Sequence, residues 1–371
     1  MFNKIKNKFN FDKPILLITI LLSIIGVILV FSASWPEGVL KHDNGYFFII
    51  RHLRSLAIGL VALLIASNIN YKYYKKMIIP IMVGAVFLNL LLFTKFGEDN
   101  WGSTRWLDLP LIPSFMPSDV LKIASIMFIA FYLEAIGKNI RTPKGSFFSV
   151  TFSILLVGIV FIRDMGSSLV MIGGLGSMLI VAGMKMTTIV FLLGLTIIGS
   201  FVGLQIPKFE YRLRRFTSFL DPFANKTGDG MQLINSFYAL AMGGVTGVGL
   251  GRGIQKFSYI PHVYNDFIFA VMGEEFGLIG TVSLVSLYIL FLWRGFVIAS
   301  KAKDNFGKFL AIGLSTVIVF QAFIHIMVNI GLSPVTGITL PFISYGGTSL
   351  MITMYSAGIL LNISKNNRKG K

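Results

Sequence analysis

The chain has no cysteine, so disulfides, thiol nucleophiles and cysteine-based metal sites are excluded. Charge is scarce. Only 13% of the 371 residues are Asp, Glu, Lys or Arg, where soluble domains carry about a quarter. Acids are the rarer sign, 16 against 33 basic residues. The four histidines (His42, His52, His262 and His325) show no HExxH or comparable ligand spacing, which argues against a zinc site.

What is abundant is apolar: 54% of the residues are hydrophobic. Runs near the roughly 20 residues that a membrane-crossing helix needs occur near 14–34, 51–68, 77–94, 116–135, 147–162, 167–184, 188–206, 266–297, 308–331 and 338–363. The pattern predicts an all-α integral membrane protein, one domain over residues 1–371. It is a polytopic bundle of ten transmembrane helices, with tails at about 1–13 and 364–371 and a large extracytoplasmic loop at about 207–265, between spans 7 and 8. The basic N-terminus followed by an apolar run looks like a signal peptide, but no small-residue cleavage site follows, so the run is expected to stay as the first helix.

A formal charge of +17 in a soluble protein would suggest nucleic acid. Its distribution gives a different answer. With the N-terminus inside, the cytoplasmic segments hold 19 basic residues against three acids, Asp12, Glu134 and Asp304. This is the positive-inside pattern; both termini are expected in the cytoplasm, and no nucleic-acid partner is expected. Trp35, Trp101 and Trp106 at outer ends, and Tyr71, Tyr73 and Tyr74 at an inner end, fit interfacial belts.

The glycine-rich GVGLGRG (247–253) matches neither GxGxxG nor GxxxxGK and follows no strand, so a loop or a close helix approach is expected rather than a phosphate cradle. Residues 101–118 read as a medium outer loop. The 207–265 loop is too long for a simple connection and too apolar for disorder. In it Phe209, Leu213, Phe216 and Leu220 form one helical stripe, with Arg212, Arg214 and Arg215 off it. That describes a basic amphipathic helix in the outer interface, which either rests on membrane lipid headgroups or holds a phosphate-bearing lipid.

The outer ends of the spans concentrate the ionisable residues. Asp119 and Lys122 are three apart on one helix face and can pair. Asp164 sits in a short outer turn, as a solvated residue or a cavity acid. In YIPHVYNDFIFAVMGEEFG (259–277), Asp266 marks the boundary between a polar segment and a long apolar run, with Glu274 and Glu275 inside that run. Acids at membrane depth are costly and usually functional. Asn265 or Asp266 can cap the following helix, and an ionised outer-face carboxylate can equally act as a base. On a continuous helix Glu274 would lie about 80° and Glu275 about 180° around from Asp266, so the glutamates cannot both face it. Two classes stay open: a transporter relaying protons or substrate at mid-membrane, and an enzyme acting at the outer surface on a lipid-linked anion.

Seven stretches, in order, resemble the SEDS family of bacterial cell-wall synthesis (FtsW, RodA and SpoVE). They are WGSTRWL (101–107), PSDVLK (117–122), DMGSS (164–168), YRLRRFTSFLDPF (211–223), GMQLINSFYALAMGGVTGVGLG (230–251), QKFSYIP with NDFIFAVMGEEFG (255–277) and LSPVTGITLPFISYGGTSL (332–350). QK in the large loop and TLPFISYGGTS favour the septal FtsW branch over RodA.

The resemblance implies an inverting peptidoglycan glycosyltransferase that polymerises lipid II into a nascent glycan strand at the outer face of the bacterial plasma (inner) membrane. It would be enriched at the division septum and work with a class B penicillin-binding transpeptidase and other division proteins. The family's essential aspartate falls on Asp266, as general base. Arg105, Lys122, Arg212, Arg214, Arg215 and Gln232 become candidates for binding substrate or pyrophosphate, with Trp106, Asp119, Asp164, Glu274 and Glu275 in support. A divalent cation (Mg or Mn) can serve the same charge, and the metal is left open. RodA-type service in elongation and lipid II flipping are the alternatives. The chain departs from the family at His262 and Tyr264, at Asp119, at Ile162–Arg163, at Thr336 and at His325.

Overall fold

The computed structural model describes residues 11–100, 103–109, 112–191, 194, 210–224, 229–257 and 263–368. The long helices, in order, are α1 (Lys13–His42), α2 (Phe47–Asn68), α3 (Tyr73–Leu91), α4 (Pro117–Ile136), α5 (Pro143–Phe161) and α6 (Met165–Ala182). Then come α7 (Glu210–Leu220), α8 (Asp229–Gly243), the single turn α9 (Val263–Asp266), α10 (Ile268–Ser300), α11 (Asn305–Asn329) and α12 (Gly347–Arg368). Among the described residues eight helices are long and apolar enough to cross a membrane: α1 to α6, α10 and α11. The seventh expected span, 188–206, lies mostly outside the described residues.

Local chemistry sets the helix ends. Asp12 accepts the Ile15 amide at 3.2 Å and Pro14 occupies the first turn of α1. Such a cap and such a proline both suit a helix start. Asp164 caps α6 by accepting the Ser167 amide at 3.1 Å. Thr142 and Asp304 cap α5 and α11 in the same way. α11 is the most buried of the spans and forms the bundle's axis. α12 lies along α2 so closely that a Cβ at Gly358 would stand 2.5 Å from the Leu63 carbonyl oxygen.

Three sequence expectations need correction. Within 97–115 the described residues form a three-stranded antiparallel sheet, β1 (Gly97–Asn100), β2 (Ser103–Leu109) and β3 (Ile112–Phe115), in the order β1-β2-β3. Strand alternation turns Arg105 and Leu107 inward and leaves Asp108 exposed. The last helix starts at Gly347, so 338–346 is irregular backbone instead of the first turns of a span. Tyr71 and Tyr74 are buried, and only Tyr73 of that trio is exposed as an interfacial ring would be.

α10 is broken at Gly277, whose φ of 63° and ψ of −162° interrupt the helical ladder. The glycine-rich loop supplies the missing partners. Val248 and Gly249 amides donate to the carbonyls of Glu274 and Glu275 at 3.0 and 3.1 Å. Leu278 and Ile279 amides donate to Gly244 and Val245 at 2.9 and 3.1 Å. A Cβ at Gly277 would lie 2.4 Å from the Gly247 nitrogen, so the approach requires glycine. Irregular backbone at membrane depth persists only where protein satisfies it.

At the opposite end of the bundle Asp304 accepts from Tyr71 Oη at 2.8 Å and from the Gly307 amide at 2.7 Å, and pairs with Lys72 at 3.2 Å. Burial pushes its carboxyl up, but the Gly307 amide, Tyr71, Lys72 and Lys75 outweigh it and hold the group below the usual range. A depressed folded-state pKa adds stability above the unfolded value, near 3.9, and that stability disappears as pH falls through the folded one. Asp304→Asn keeps the helix cap and loses the charge. Thermal unfolding in detergent should show it less stable than wild type at pH 7, with the gap closing below about pH 4. A gap that is constant with pH contradicts this.

Candidate active site

The irregular segment 335–341 is the floor of the candidate site. Nearly every carbonyl in it is held by a side chain from elsewhere in the chain. Arg215 Nη1 donates to Val335 O at 3.2 Å, and Arg105 Nη1 to Thr336 O at 2.8 Å and Gly337 O at 3.4 Å. Gln321 Nε2 donates to Thr339 O at 2.9 Å and Tyr288 Oη to Pro341 O at 2.5 Å. His325 Nδ1 lies 2.9 Å from Ile338 O, and a carbonyl partner requires that nitrogen to carry the proton.

Asp266 stands on α9, directly above this floor. A Cβ built on Gly337 would meet Arg105 Nη1 at 2.5 Å and Asp266 Oδ2 at 3.6 Å, so both groups converge on that one glycine. Gly337 also has φ of 67°, a conformation that favours glycine. The carbonyls of the Asp266 turn are fixed in succession. The Tyr345 amide donates to Tyr264 O at 3.0 Å, Ser344 Oγ to Asn265 O at 2.7 Å and Asn329 Nδ2 to Asp266 O at 3.1 Å. Ser344 Oγ also accepts the Leu340 amide at 2.8 Å, which ties floor and turn together.

Neither Asn265 nor Asp266 caps α10. Its N-cap is Phe267, which makes no side-chain cap bond, and the Ala270 amide is shared between the Phe267 carbonyl at 3.0 Å and Asn329 Oδ1 of α11 at 3.1 Å. The angular argument from a continuous helix therefore does not apply to Asp266.

Arg105 Nε lies 3.9 Å from Asp164 Oδ1. Asp164 is buried, not a solvated turn residue, and its Oδ2 accepts Ser118 Oγ at 2.9 Å. Burial pushes its carboxyl up. The Arg105 guanidinium, the bond from Ser167 and the Lys122 ammonium prevail and keep it below the usual carboxylate range. Deeper, Lys122 Nζ pairs with Asp119 Oδ1 at 2.7 Å and donates to Gln321 Oε1 at 2.8 Å. Asp119, Lys122, Asp164 and Arg105 thus form one buried polar network under Asp266.

Glu274 and Glu275 do not join it. Glu274 accepts the Ile254 amide at 2.6 Å and the Gln255 amide at 3.3 Å. Glu275 Oε1 accepts Ser32 Oγ and Lys256 Nζ, each at 2.6 Å. Both carboxylates anchor the glycine-rich loop to α10 and α1. Of the remaining candidates, Arg214 is exposed on α7, Gln232 is half-buried on α8 and Trp106 is half-buried on β2, opposite Glu98. The Arg212 side chain lies outside the described residues. Among the described residues no group of three or more His, Asp or Glu side chains is placed to hold a metal ion.

The model of the family described as "Cell cycle protein" (FtsW, RodA and SpoVE) matches residues 13–369. The chain belongs to this family. A probable peptidoglycan glycosyltransferase FtsW from Geobacter sp. (strain M18) is 38% identical over 361 residues, covering 96% of this chain and 98% of that one. The stage V sporulation protein E of Bacillus subtilis (strain 168) is 40% identical with the same coverage. Among solved structures, one described as "Structural coordination of polymerization and crosslinking by a peptidoglycan synthase complex" superposes with a TM-score of 0.77. It covers 97% of this chain and 99% of that chain at 22% identity. The rod shape determining protein RodA of Thermus thermophilus gives 0.71, over 96% and 98% of the two chains, at 22% identity. At such identity the superpositions carry the fold alone.

The departures from the family pattern now have places. Asp119 reaches Lys122 at 2.7 Å. Thr336 offers its carbonyl to Arg105, while its hydroxyl is buried without a partner. His325 holds the floor. Arg163 donates to Thr104 Oγ1 at 2.8 Å and pins the α5–α6 turn to β2. Tyr264 packs on Phe48 and Tyr345 with ring centroids 4.6 and 5.5 Å apart; burial first, and then the Glu37 carboxylate, push its phenol up. His262 lies outside the described residues.

Asn329, Ser344 and Gly337 escaped the reading from sequence. A signal for the first was present, because Gln321, His325 and Asn329 are polar residues at intervals of four on an apolar helix, hence on one face.

The loop anchor has a stability consequence. Lys256→Met leaves the fully buried Glu275 without its ammonium partner, and breaking a buried pair from one side costs roughly 3–5 kcal/mol. Adding Glu275→Gln should recover much of that. Unfolding of both variants in detergent measures it, and a single variant as stable as wild type contradicts the anchor.

Proposed function

We propose that the chain is an inverting peptidoglycan glycosyltransferase that polymerises lipid II at the outer face of the plasma membrane, with Asp266 as general base. The observation that carries this is Asp266 on its three-fold-held turn, beside Arg105 and above the buried network of Asp164, Lys122 and Asp119. Family membership over nearly the whole chain, with relatives named as peptidoglycan glycosyltransferases, supports the same reading.

In the reaction the 4-hydroxyl of the acceptor sugar attacks the anomeric carbon of the donor. Asp266 takes the hydroxyl proton, the new glycosidic bond forms, and the bond from the anomeric carbon to the phosphate oxygen breaks with inversion. A general base contributes typically 10²–10⁴-fold. Polyprenyl pyrophosphate leaves with its negative charge, which fixed cationic groups stabilise. Arg105 would do this from the floor, and Arg214 and Arg215 from α7. Lys122, buried and doubly engaged, acts through its field on Asp164 rather than by touching substrate. Where a divalent cation takes part, it would supply further neutralisation of the pyrophosphate.

The topology that this needs has ten spans, with both termini in the cytoplasm and the large loop outside. α7 would lie in the outer interface, with its exposed Leu213, Phe216 and Leu220 toward lipid. The partner would be a class B penicillin-binding transpeptidase, and the site of action the division septum.

Purified protein with its transpeptidase partner should polymerise labelled lipid II. Asp266→Ala should abolish polymer while leaving folding and partner binding intact. Polymer from the variant overturns the base assignment, and a wild type that makes none yet moves lipid II between leaflets overturns the enzyme reading.

Topology has a clean readout because native cysteine is absent. In right-side-out spheroplasts an impermeant maleimide should label Asp108→Cys and Asp221→Cys but not Lys144→Cys or Lys303→Cys. The reverse pattern contradicts the orientation.

A further inference from the structure

We propose that Asn329 is the positioning residue that sets where the Asp266 carboxylate stands, a role that rests on the glycosyltransferase reading above. The chain breaks between α9 and α10 at Phe267, whose φ of −127° and ψ of 23° leave the helical region. Asp266 is the last residue before the break, and a one-turn helix has too few internal hydrogen bonds to hold it.

Asn329 spans the break. Its Nδ2 donates to the Asp266 carbonyl at 3.1 Å on one side, and on the other its Oδ1 accepts the Ala270 amide at 3.1 Å, an amide shared with the Phe267 carbonyl at 3.0 Å. The second Nδ2 hydrogen goes to His325 O at 2.8 Å, one turn back on α11. The amide orientation is fixed by these partners, because a flipped group would set NH2 against an N–H and oxygen against two carbonyls. The side chain is fully buried, and its own carbonyl accepts Ser236 Oγ of α8 at 2.7 Å.

Ser344 and Tyr345 hold only the preceding carbonyls, those of Asn265 and Tyr264. Asn329 therefore couples the rigid axis of the bundle to the proposed base itself. A misplacement of about 1 Å in such a group can cost on the order of 10²-fold in rate.

The test compares wild type, Asn329→Ala and Asn329→Asp in the lipid II assay with the transpeptidase partner, with rates given per folded molecule. For Asn329→Ala, kcat should fall about tenfold or more while KM for lipid II stays within about threefold. A carboxylic acid at 329 offers one O–H donor and one acceptor only when neutral, so the Asn329→Asp rate relative to Asn329→Ala should rise as pH falls.

Amide hydrogen exchange over 264–270 is the second readout, and it needs no activity: exchange should quicken in Asn329→Ala. If exchange quickens but wild type makes no polymer, the clamp stands and the glycosyltransferase reading fails. If wild type polymerises and neither kcat nor exchange changes in Asn329→Ala, the proposal is overturned. A pH-independent ratio between the two variants also overturns its hydrogen-bond basis.

Discussion

Backbone carbonyls and amides that leave a helix inside a membrane must find partners within the protein, because hydrocarbon offers none. This constraint organises the molecule. Among the described residues, 244–257 and 332–346 give up helical structure, and each is held by groups from several other elements. The glycine-rich loop closes the gap in α10 at Gly277 with backbone bonds and the two glutamates. The segment 335–341 is held by Arg215, Arg105, His325, Gln321 and Tyr288, one side chain after another.

The site is a product of that solution. The side chains that satisfy the floor belong to α7, β2, α10 and α11, so fixing the floor fixes those elements around it. Arg105 shows the economy of the arrangement: one guanidinium holds Thr336 O, approaches Asp164 and shares the space at Gly337 with Asp266. The polar stripe Gln321, His325 and Asn329 on α11 does the same along the bundle axis. It reaches the floor at its first two positions and the Asp266 turn at the third.

Composition made the membrane class and most of the spans legible, since a long apolar run has few alternatives to a crossing helix. It failed at 338–346, where an equally apolar stretch is irregular because its carbonyls are taken by side chains distant in sequence, such as His325 and Tyr288. Hydropathy carries no information about such bonds. The sheet within 97–115 was missed because its strands are short, two of them with 4 residues and one with 7. Asp266 stood out as an acid at a membrane boundary, but its cap role did not survive, because α10 begins after it, with Phe267 as an N-cap that makes no side-chain cap bond. Glu274 and Glu275 drew notice for the same reason as Asp266, and their bonds to the loop show that cost at membrane depth marks structural anchors as well as candidate catalytic groups.

The central claim is that the outer site presents the Asp266 carboxylate to an acceptor sugar. The most direct measurement is a cryo-electron microscopy structure of the Asp266→Asn variant with lipid II bound. The account predicts the acceptor 4-hydroxyl within about 3 Å of the residue 266 side chain, with the pyrophosphate toward Arg105 and α7. An acceptor hydroxyl facing Asp119 or Asp164 instead, with residue 266 turned away from both sugars, would contradict it.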